Sequence, residues 1–583
     1  MCSSFFLTHL PRKPGHVMSK ITGAEAIIKC LQEEGVDLIF GYPGGAVIEL
    51  YDELLKSPIR HILVRHEQGA VHAADGYARA SGKVGVALLT SGPGATNGVT
   101  AIATAYSDSI PVVVLTGQVP RALIGNDAFQ EVDIVGITRP CTKHNYLVND
   151  PKDLVPTLRE AFYLAAAGRP GPVLVDLPKD IIAATIDYPE KKPVKMPTYQ
   201  PNTTPHPRQV ERACRAILQA KRPVLYVGGG VILSNSNEEV TWLARRLSIP
   251  VTMTLMGLGG FPGTDPLSLG MLGMHGTYAA NMAVAKSDLL IAVGSRFDDR
   301  VTGRLDAFAP EAKIIHIDID PSSISKNVSV DIPIVADCKL ALAAINNWFN
   351  NLQDFSESAM HEQLGPWLAQ VREWQQAYPL GYIDDEEVIK PQYVIEKLQE
   401  LTNGQAIITT EVGQNQMWAA QFYRFDHPRR LLTSGGLGTM GYGLPAAIGA
   451  QLAFPEATVI DIAGDGSIQM NIQELATAKE SGAPVKVAIL NNSFLGMVRQ
   501  WQELFYKRHY AATTMDFSPD FVTLASAYQA VGLRAKTKAE VVPVIKEALA
   551  TDNVVIMDFV ISREEGVFPM VPAGKATTEM LLV

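Results

Sequence analysis

The sequence predicts an α/β protein with three doubly wound parallel-sheet domains. Three observations carry this. Short apolar runs that read as buried strands alternate with helical patterns along nearly the whole chain. Polar, Pro-rich or acidic stretches at residues 188–207, 350–363 and 378–392 interrupt the alternation and read as linkers. The 583 residues are thereby cut into blocks large enough to fold around their own cores. The expected units are a poorly ordered leader (1–20), a first domain (21–187), a central domain (208–350), a third domain (385–560) and a C-terminal tail (561–583).

Composition narrows the class. Hydrophobic residues make up 47% and charged residues 19%, the balance of a globular enzyme with large cores. The net charge of −10 is spread without long runs of one sign, which argues against a nucleic-acid or anionic-membrane surface. The five cysteines are odd in number and form no Cys-x-x-Cys, so neither a disulfide framework nor a zinc site is expected, and a reducing compartment fits. No apolar run approaches the roughly 18 residues that span a membrane. The opening "MCSSFFLTHLPRKPGHVMSK" has too short an apolar core for a secretory signal, and its basic residues follow that core. Met18 reads as a start, with residues 1–17 a leader and the location cytoplasmic and bacterial. An organellar transit peptide is the alternative.

In the first block, residues 90–117 ("TSGPGATNGVTAIATAYSDSIPVVVLTG") read strand end, Gly-x-Gly, a helix with Ala-Thr-Ala, a Pro, then a strand. Residues 462–492 of the third block repeat that order. Either the two are unrelated βαβ units that look alike, or a domain was duplicated and the site lies between its halves. The middle block has strands ending in Gly, Ser or Asp at "PVLYVGGGVI", "DLLIAVGSRFDDRVTG" and "KIIHIDIDPSSISK". Such ends face a ligand at a sheet's C-terminal edge. "GGGVIL" does not satisfy Gly-x-Gly-x-x-Gly, so a conventional nicotinamide site is not supported.

The sharpest signal is "VIDIAGDGSIQMN". A carboxylate between two glycines at a buried strand end is costly unless something binds it. A helix carrying Ile472, Leu475 and Ala476 follows and stops near Gly482. Strand "VKVAIL" then runs into Asn491-Asn492. A right-handed crossover returns the second strand parallel to the first, so Asp465 and Asn492 converge on one sheet edge. A carboxylate and an amide carbonyl are hard oxygen ligands of the kind magnesium takes beside phosphate and water. The glycines let backbone N–H groups approach phosphate.

Gly-Asp-Gly, a spacer of about two dozen residues and Asn-Asn match the signature of thiamine-diphosphate-dependent enzymes. "GYPGGAV", "RHEQGAVHAADGYARASG", "DAFQE", "GRPGPVLVDLPKD", "GMLGMHGT", "SRFDDRVTG" and "SGGLGTMGYGLPAAIGA" add to it. From about Ile21 to Pro572 the chain resembles the catalytic large subunit of acetolactate synthase (acetohydroxyacid synthase), of the type that binds FAD as well as thiamine diphosphate and magnesium.

The resemblance implies these roles. Glu67 hydrogen-bonds the aminopyrimidine ring; the residues alone leave Glu67, Glu411 and Glu474 open. Met440 wedges the cofactor into its bent form, beside Gly438. Gly464, Asp465, Gly466, Ser467 and Asn492 hold the diphosphate end, with Met497 near the cofactor. Asp465, Asn492 and the Phe494 carbonyl hold magnesium. Gly45 and Gln130 lie near the reacting atoms, and Lys179 at the site's mouth. Arg300 binds the second substrate's carboxylate, and Met497, Trp501 and Phe129 shape its pocket. FAD is held by Arg169, His275, Gly276, Thr277, Gly294, Arg296, Asp298, Arg300, Asp318, Ile319 and Asp337.

The implied reaction decarboxylates pyruvate and transfers a hydroxyethyl carbanion to a second 2-oxoacid. Pyruvate as acceptor gives 2-acetolactate, and 2-oxobutyrate gives 2-aceto-2-hydroxybutyrate, both leading to branched-chain amino acids. A FAD-dependent pyruvate oxidase is the alternative. The resemblance further implies a homodimer or tetramer, with each site shared between chains, and a small regulatory subunit.

Overall fold

The computed structural model describes residues 20–353 and 355–582. The leader, apart from Lys20, lies outside the described residues. Three six-stranded sheets, each parallel throughout and flanked by helices, form the chain's framework. No helix among the described residues is long and apolar enough to cross a membrane.

The first sheet comprises Leu38–Gly41, Arg60–Leu63, Gly85–Leu89, Val112–Gln118, His144–Leu147 and Val173–Pro178. The third comprises Ile407–Thr410, Leu431–Leu432, Val459–Gly464, Lys486–Asn491, Val531–Ala535 and Val555–Val560. Numbered within each sheet, both have the strand order 2-1-3-4-6-5. The middle sheet comprises Pro223–Val227, Val251–Met253, Ser268–Met271, Leu289–Val293, Lys313–Asp318 and Ile332–Val335. Its order is 3-2-1-4-5-6, the dinucleotide-binding arrangement. The central strands are buried on both faces, which explains their continuous apolar runs.

The sequence echo has a structural counterpart. In each outer sheet the repeated crossover joins the third strand to the fourth. The likeness extends to side chains. Asp176, on the sixth strand of the first sheet, accepts from Gln118 Nε2 (3.0 Å) and Thr116 Oγ1 (2.7 Å). Asp558 holds the same register place in the third sheet and accepts from Asn491 Nδ2 at 3.0 Å.

The outer domains meet through helices Glu67–Ser81 and Gly443–Ala453. Each precedes the third strand of its own sheet. Gly76 packs on the Ala446 backbone and Gly449 on the Ala73 carbonyl, leaving no room for a Cβ at either position. Beside them Arg79 is buried with two carboxylates. Its guanidinium donates to Asp75 (2.6 Å), Asp108 (2.9 Å) and the Thr433 carbonyl (2.8 Å), and Tyr442 OH donates to Asp75 (2.7 Å).

One expectation needs correcting. Residues 350–363 are not wholly a linker, because helix Glu357–Ala377 begins there. Its buried Met360, Leu364, Trp367, Leu368 and Val371 recur at helical spacing, and Trp367 Nε1 donates to the Pro223 carbonyl at 3.1 Å. The helix packs on the middle domain, which thus continues past 350. The polar side chains of its outer face gave the segment a linker's composition.

Burial pushes the Asp176 carboxyl up to about 7. A carboxyl whose folded pKa exceeds its unfolded value near 3.9 favours folding when protonated, so this contribution is lost as pH rises from about 4 to about 7. Asp176→Asn is expected to flatten the fall in stability across that window by at most about 1.4 kcal/mol per pH unit. Urea unfolding of both proteins at pH 5 and pH 7 measures this.

Candidate active site

In the third sheet, strands Ile407–Thr410 and Val459–Gly464 lie side by side and their connections wind in opposite directions. Ligands bind at such a switch point, outside the strands' carboxyl ends. Asp465 sits there, 1% exposed, and its Oδ2 has no hydrogen-bond partner among the described residues. Burial pushes its carboxyl up to about 6, opposed by nearby backbone N–H groups. Asn492 arrives from the next strand. Its Oδ1 accepts from Phe494 N–H (3.0 Å) and its Nδ2 donates to Gln414 Oε1 (3.3 Å). Ser493, at φ 55°, supplies the left-handed turn between Asn492 and Phe494. Among the described residues no cluster of three or more His, Cys, Asp or Glu could hold a metal. A single buried carboxylate with amide and carbonyl oxygens suits magnesium, which keeps water and phosphate ligands, and not a metal that needs a full protein cage.

The loop before helix Gly443–Ala453 carries Gly438 and Met440. Gly438 (φ 73°) and Gly441 (φ 87°) give it its left-handed turns. Glu411 anchors its end from below. It is fully buried and accepts from Gly441 N–H (2.6 Å) and Leu444 N–H (3.2 Å). Burial raises its pKa, and Asp461, buried behind it, is raised by burial and by Glu411.

The first domain presents a second group. Glu67 opens its helix, half-buried, and its Oε2 accepts from Asn97 Nδ2 at 2.9 Å. The structure thus separates the three glutamates that the sequence left open. Glu411 and Glu474 have their carboxylates committed to backbone N–H groups, whereas Glu67 is open to a ligand. Within one chain Glu67 is only half-buried and has no apolar enclosure. Lys179 Nζ donates to the Gly45 carbonyl at 3.0 Å, which brings those two residues together. Gln130 has φ 59°, an uncommon conformation for a residue with a Cβ, and packs against Gly92. Phe129 is 88% exposed.

A cavity of about 1780 Å³ lies between the domains. From the middle domain it is lined by His275, Gly294, Arg296, Asp298, Arg300, Asp318, Ile319 and Asp337. Arg169 joins them from the first domain, and Gly438, Met440, Met497 and Trp501 from the third. Met497 and Trp501 share a face of helix Gly496–Phe505, being four residues apart. Arg300 reaches Asp299 only at 3.9 Å, so its guanidinium is available to an anion. Arg169 is held by Asp320 (3.0 Å) and Ser109 (2.8 Å). The tail returns here too, with Val571 N–H donating to the Met274 carbonyl at 2.8 Å.

Three expected groups stand apart from this cavity. Gly276 and Thr277 do not line it; the Thr277 side chain caps helix Tyr278–Lys286 and donates to the Leu269 carbonyl (2.7 Å). Glu67, Gly45, Gln130, Phe129 and Lys179 do not reach it within one chain, nor do Gly464, Asp465, Gly466, Ser467, Asn492 and Phe494 line it. The supports Gln414, Asp461 and Asp108 escaped sequence reasoning, and Glu411 was weighed only as an alternative to Glu67. Gln414 opens a helix, Asp461 lies within a strand and Asp108 ends a helix, and no shared local signal marks such positions as supports.

Family models match the chain in three places. They are the "Thiamine pyrophosphate enzyme, N-terminal TPP binding domain" (residues 21–137), the "central domain" (210–345) and the "C-terminal TPP binding domain" (411–559). Fold and strand-end site together define a thiamine pyrophosphate enzyme. Relatives match nearly end to end. The acetolactate synthase large subunit of Haemophilus influenzae is 49% identical over 571 residues, 97% of this chain and 99% of that protein. The isozyme 3 large subunit of Escherichia coli is 50% identical over 574 residues, with the same coverage. The probable acetolactate synthase large subunit of Methanocaldococcus jannaschii is 51% identical over 572 residues, 96% of this chain and 95% of that protein. The chain belongs to the acetolactate synthase large-subunit family.

Proposed function

We propose that this enzyme decarboxylates pyruvate and joins the remaining two-carbon unit to a second 2-oxoacid, pyruvate or 2-oxobutyrate. The observation that carries this reading is the cavity that Arg300, Met440, Met497 and Trp501 all line. It holds a guanidinium available to an anion, apolar side chains suited to a small alkyl group, and the loop that bears Met440. The relatives carry the name acetolactate synthase, which supports this reading over the pyruvate oxidase alternative.

Thiamine diphosphate supplies, when bound, a thiazolium carbon acid able to add to a 2-oxoacid carbonyl and accept the electrons that decarboxylation leaves. The chain's residues do the rest. Asp465, Asn492 and the Phe494 carbonyl hold magnesium. The orphaned Asp465 oxygen supports this, since a cation offsets its burial. Backbone N–H groups at Gly464, Gly466 and Ser467 receive the diphosphate. Glu67 holds a proton against the aminopyrimidine ring. Gly45 N–H and the Gln130 amide stabilise developing negative charge on the substrate oxygen. Lys179 orients Gly45 at the mouth. Arg300 binds the acceptor carboxylate, and Met497, Trp501 and Phe129 select its alkyl group.

FAD is the third cofactor proposed. The middle sheet's strand order and its switch-point glycines fit it: Gly230 and Gly294 pack backbone to backbone, and both line the cavity. Carboligation is not a net oxidation, so FAD's part here is structural.

A homodimer is the smallest complete unit in this reading, whether or not two dimers form a tetramer. Glu67, Gly45 and Gln130 do not line the cavity of their own chain, and neither does the exposed Phe129. A partner's first domain would supply them. The relatives' designation as large subunits supports a small regulatory subunit as a further partner.

Glu67→Gln should reduce turnover to background while thiamine diphosphate still binds; an undiminished rate of acetolactate formation would sink the proton-holding role. Asp465→Ala should weaken magnesium and thiamine diphosphate together, by about 2 kcal/mol or more, as expected for a lost charged ligand. Unchanged cofactor titrations would contradict the ligand set. Trp501→Leu should erode the preference between pyruvate and 2-oxobutyrate by about 1–3 kcal/mol. A product ratio that does not move with both acceptors present would exclude Trp501 as the selector.

A further inference from the structure

Two buried carboxylates cross the interface between the outer domains, in opposite directions. Asp108, at the end of helix Val99–Asp108 in the first domain, accepts from Gly435 and Gly436 N–H at 3.1 and 2.7 Å. Those glycines begin the loop that carries Met440. Glu474, which opens helix Glu474–Ser481 in the third domain, accepts from Arg65 N–H at 3.1 and 3.2 Å. Arg65 lies on the turn that presents Glu67. The two helices correspond, each following the third strand of its sheet. Each outer domain thereby holds the other's cofactor-facing loop.

Glu474 has little freedom. It is 1% exposed, and its Oε2 also accepts from Thr477 Oγ1 at 2.6 Å. Gly69, in the first turn of the helix that Glu67 opens, lies so close that a Cβ there would stand 2.6 Å from Glu474 Oε1. The carboxylate is wedged between its own helix and the segment on either side of Glu67. An exposed acid opening a helix would serve the helix dipole alone, whereas this one spends its hydrogen bonds on another domain.

We propose that Glu474 is a positioning residue for Glu67, fixing across the domain interface the turn from which Glu67 meets the cofactor. This rests on the proton-holding role of Glu67. Glu474 follows Asp465 on the same strand-to-helix connection. With the site shared between chains, the segment that gives Asp465 to one site sets Glu67 for the other.

The test is a double-mutant cycle of Glu67→Gln and Glu474→Gln on the full-length protein, with two readouts. The first is amide hydrogen exchange of the apoprotein by mass spectrometry. Glu474→Gln should speed exchange in the peptide covering residues 65–68 by about tenfold, with little change elsewhere. The second is hydrogen–deuterium exchange at the thiazolium carbon of bound thiamine diphosphate. Glu474→Gln should slow it by about tenfold alone and by less than about twofold in the Glu67→Gln background. Equal slowing in both backgrounds overturns the proposal. So does a lowered melting temperature with both exchange rates unmoved. If Glu67→Gln does not slow thiazolium exchange, the role of Glu67 falls and the proposal with it. A slow Glu67→Gln beside an unaffected Glu474→Gln sinks the positioning role alone. Should Glu474→Gln not fold, Thr477→Val, which removes the hydroxyl on Glu474 Oε2, enters the same cycle under the same criteria.

Discussion

The contact between helices Glu67–Ser81 and Gly443–Ala453 is the constraint on which the rest depends. The helices approach until backbone meets backbone at Gly76 and Gly449, and any side chain there would force them apart. Around the contact lies the cluster of Arg79, Asp75, Asp108 and Tyr442. Removing one member of such a buried set typically costs about 3–5 kcal/mol, because the remaining charge is left without a partner. A docking register that separated Arg79 from these partners would carry that cost. Both segments proposed to face the cofactor hang on this docking. Glu67 opens one helix, and the loop with Met440 runs directly into the other.

Buried carboxylates recur through the outer domains, and their partners tell supports from ligands. Glu411 and Glu474 accept backbone N–H groups, Asp75 and Asp108 accept from Arg79, and Asp176 and Asp558 accept side-chain amides. Asp465 and Asp461 each keep one buried oxygen without a hydrogen-bond partner among the described residues. Asp461 lies inside its strand behind Glu411, whereas Asp465 lies just past the strand's carboxyl end, so its unpartnered oxygen and its switch-point position together suit it to a cation. Hydrogen bonding and place in the sheet make the distinction, not exposure.

The shared strand order of the outer sheets gives their division of labour a geometric basis. Both open a switch-point crevice at the ends of their first and third strands. The first domain carries Glu67, proposed to hold a proton, and the third carries Asp465, proposed to hold a metal. The middle sheet, wound in the other common order, faces its own crevice toward the cavity that holds Arg300 and Trp501.

Sequence by itself determined the α/β class and the Gly-Asp-Gly to Asn-Asn spacing, which depend on periodicity, turn chemistry and spacing within a single crossover, and these are local. The family came from resemblance, through motifs spread from Ile21 to Pro572. Helix Glu357–Ala377 was obscured because polar residues on its outer face outweigh five buried ones in composition, though their spacing is helical. Tertiary structure alone decided which of Glu67, Glu411 and Glu474 is open to a ligand, since the N–H groups that claim the other two come from distant segments. It alone set Glu474 against the turn of Glu67, and Asp108 against Gly435 and Gly436. Such meetings join residues hundreds of positions apart through domain docking, and no local pattern encodes the partner.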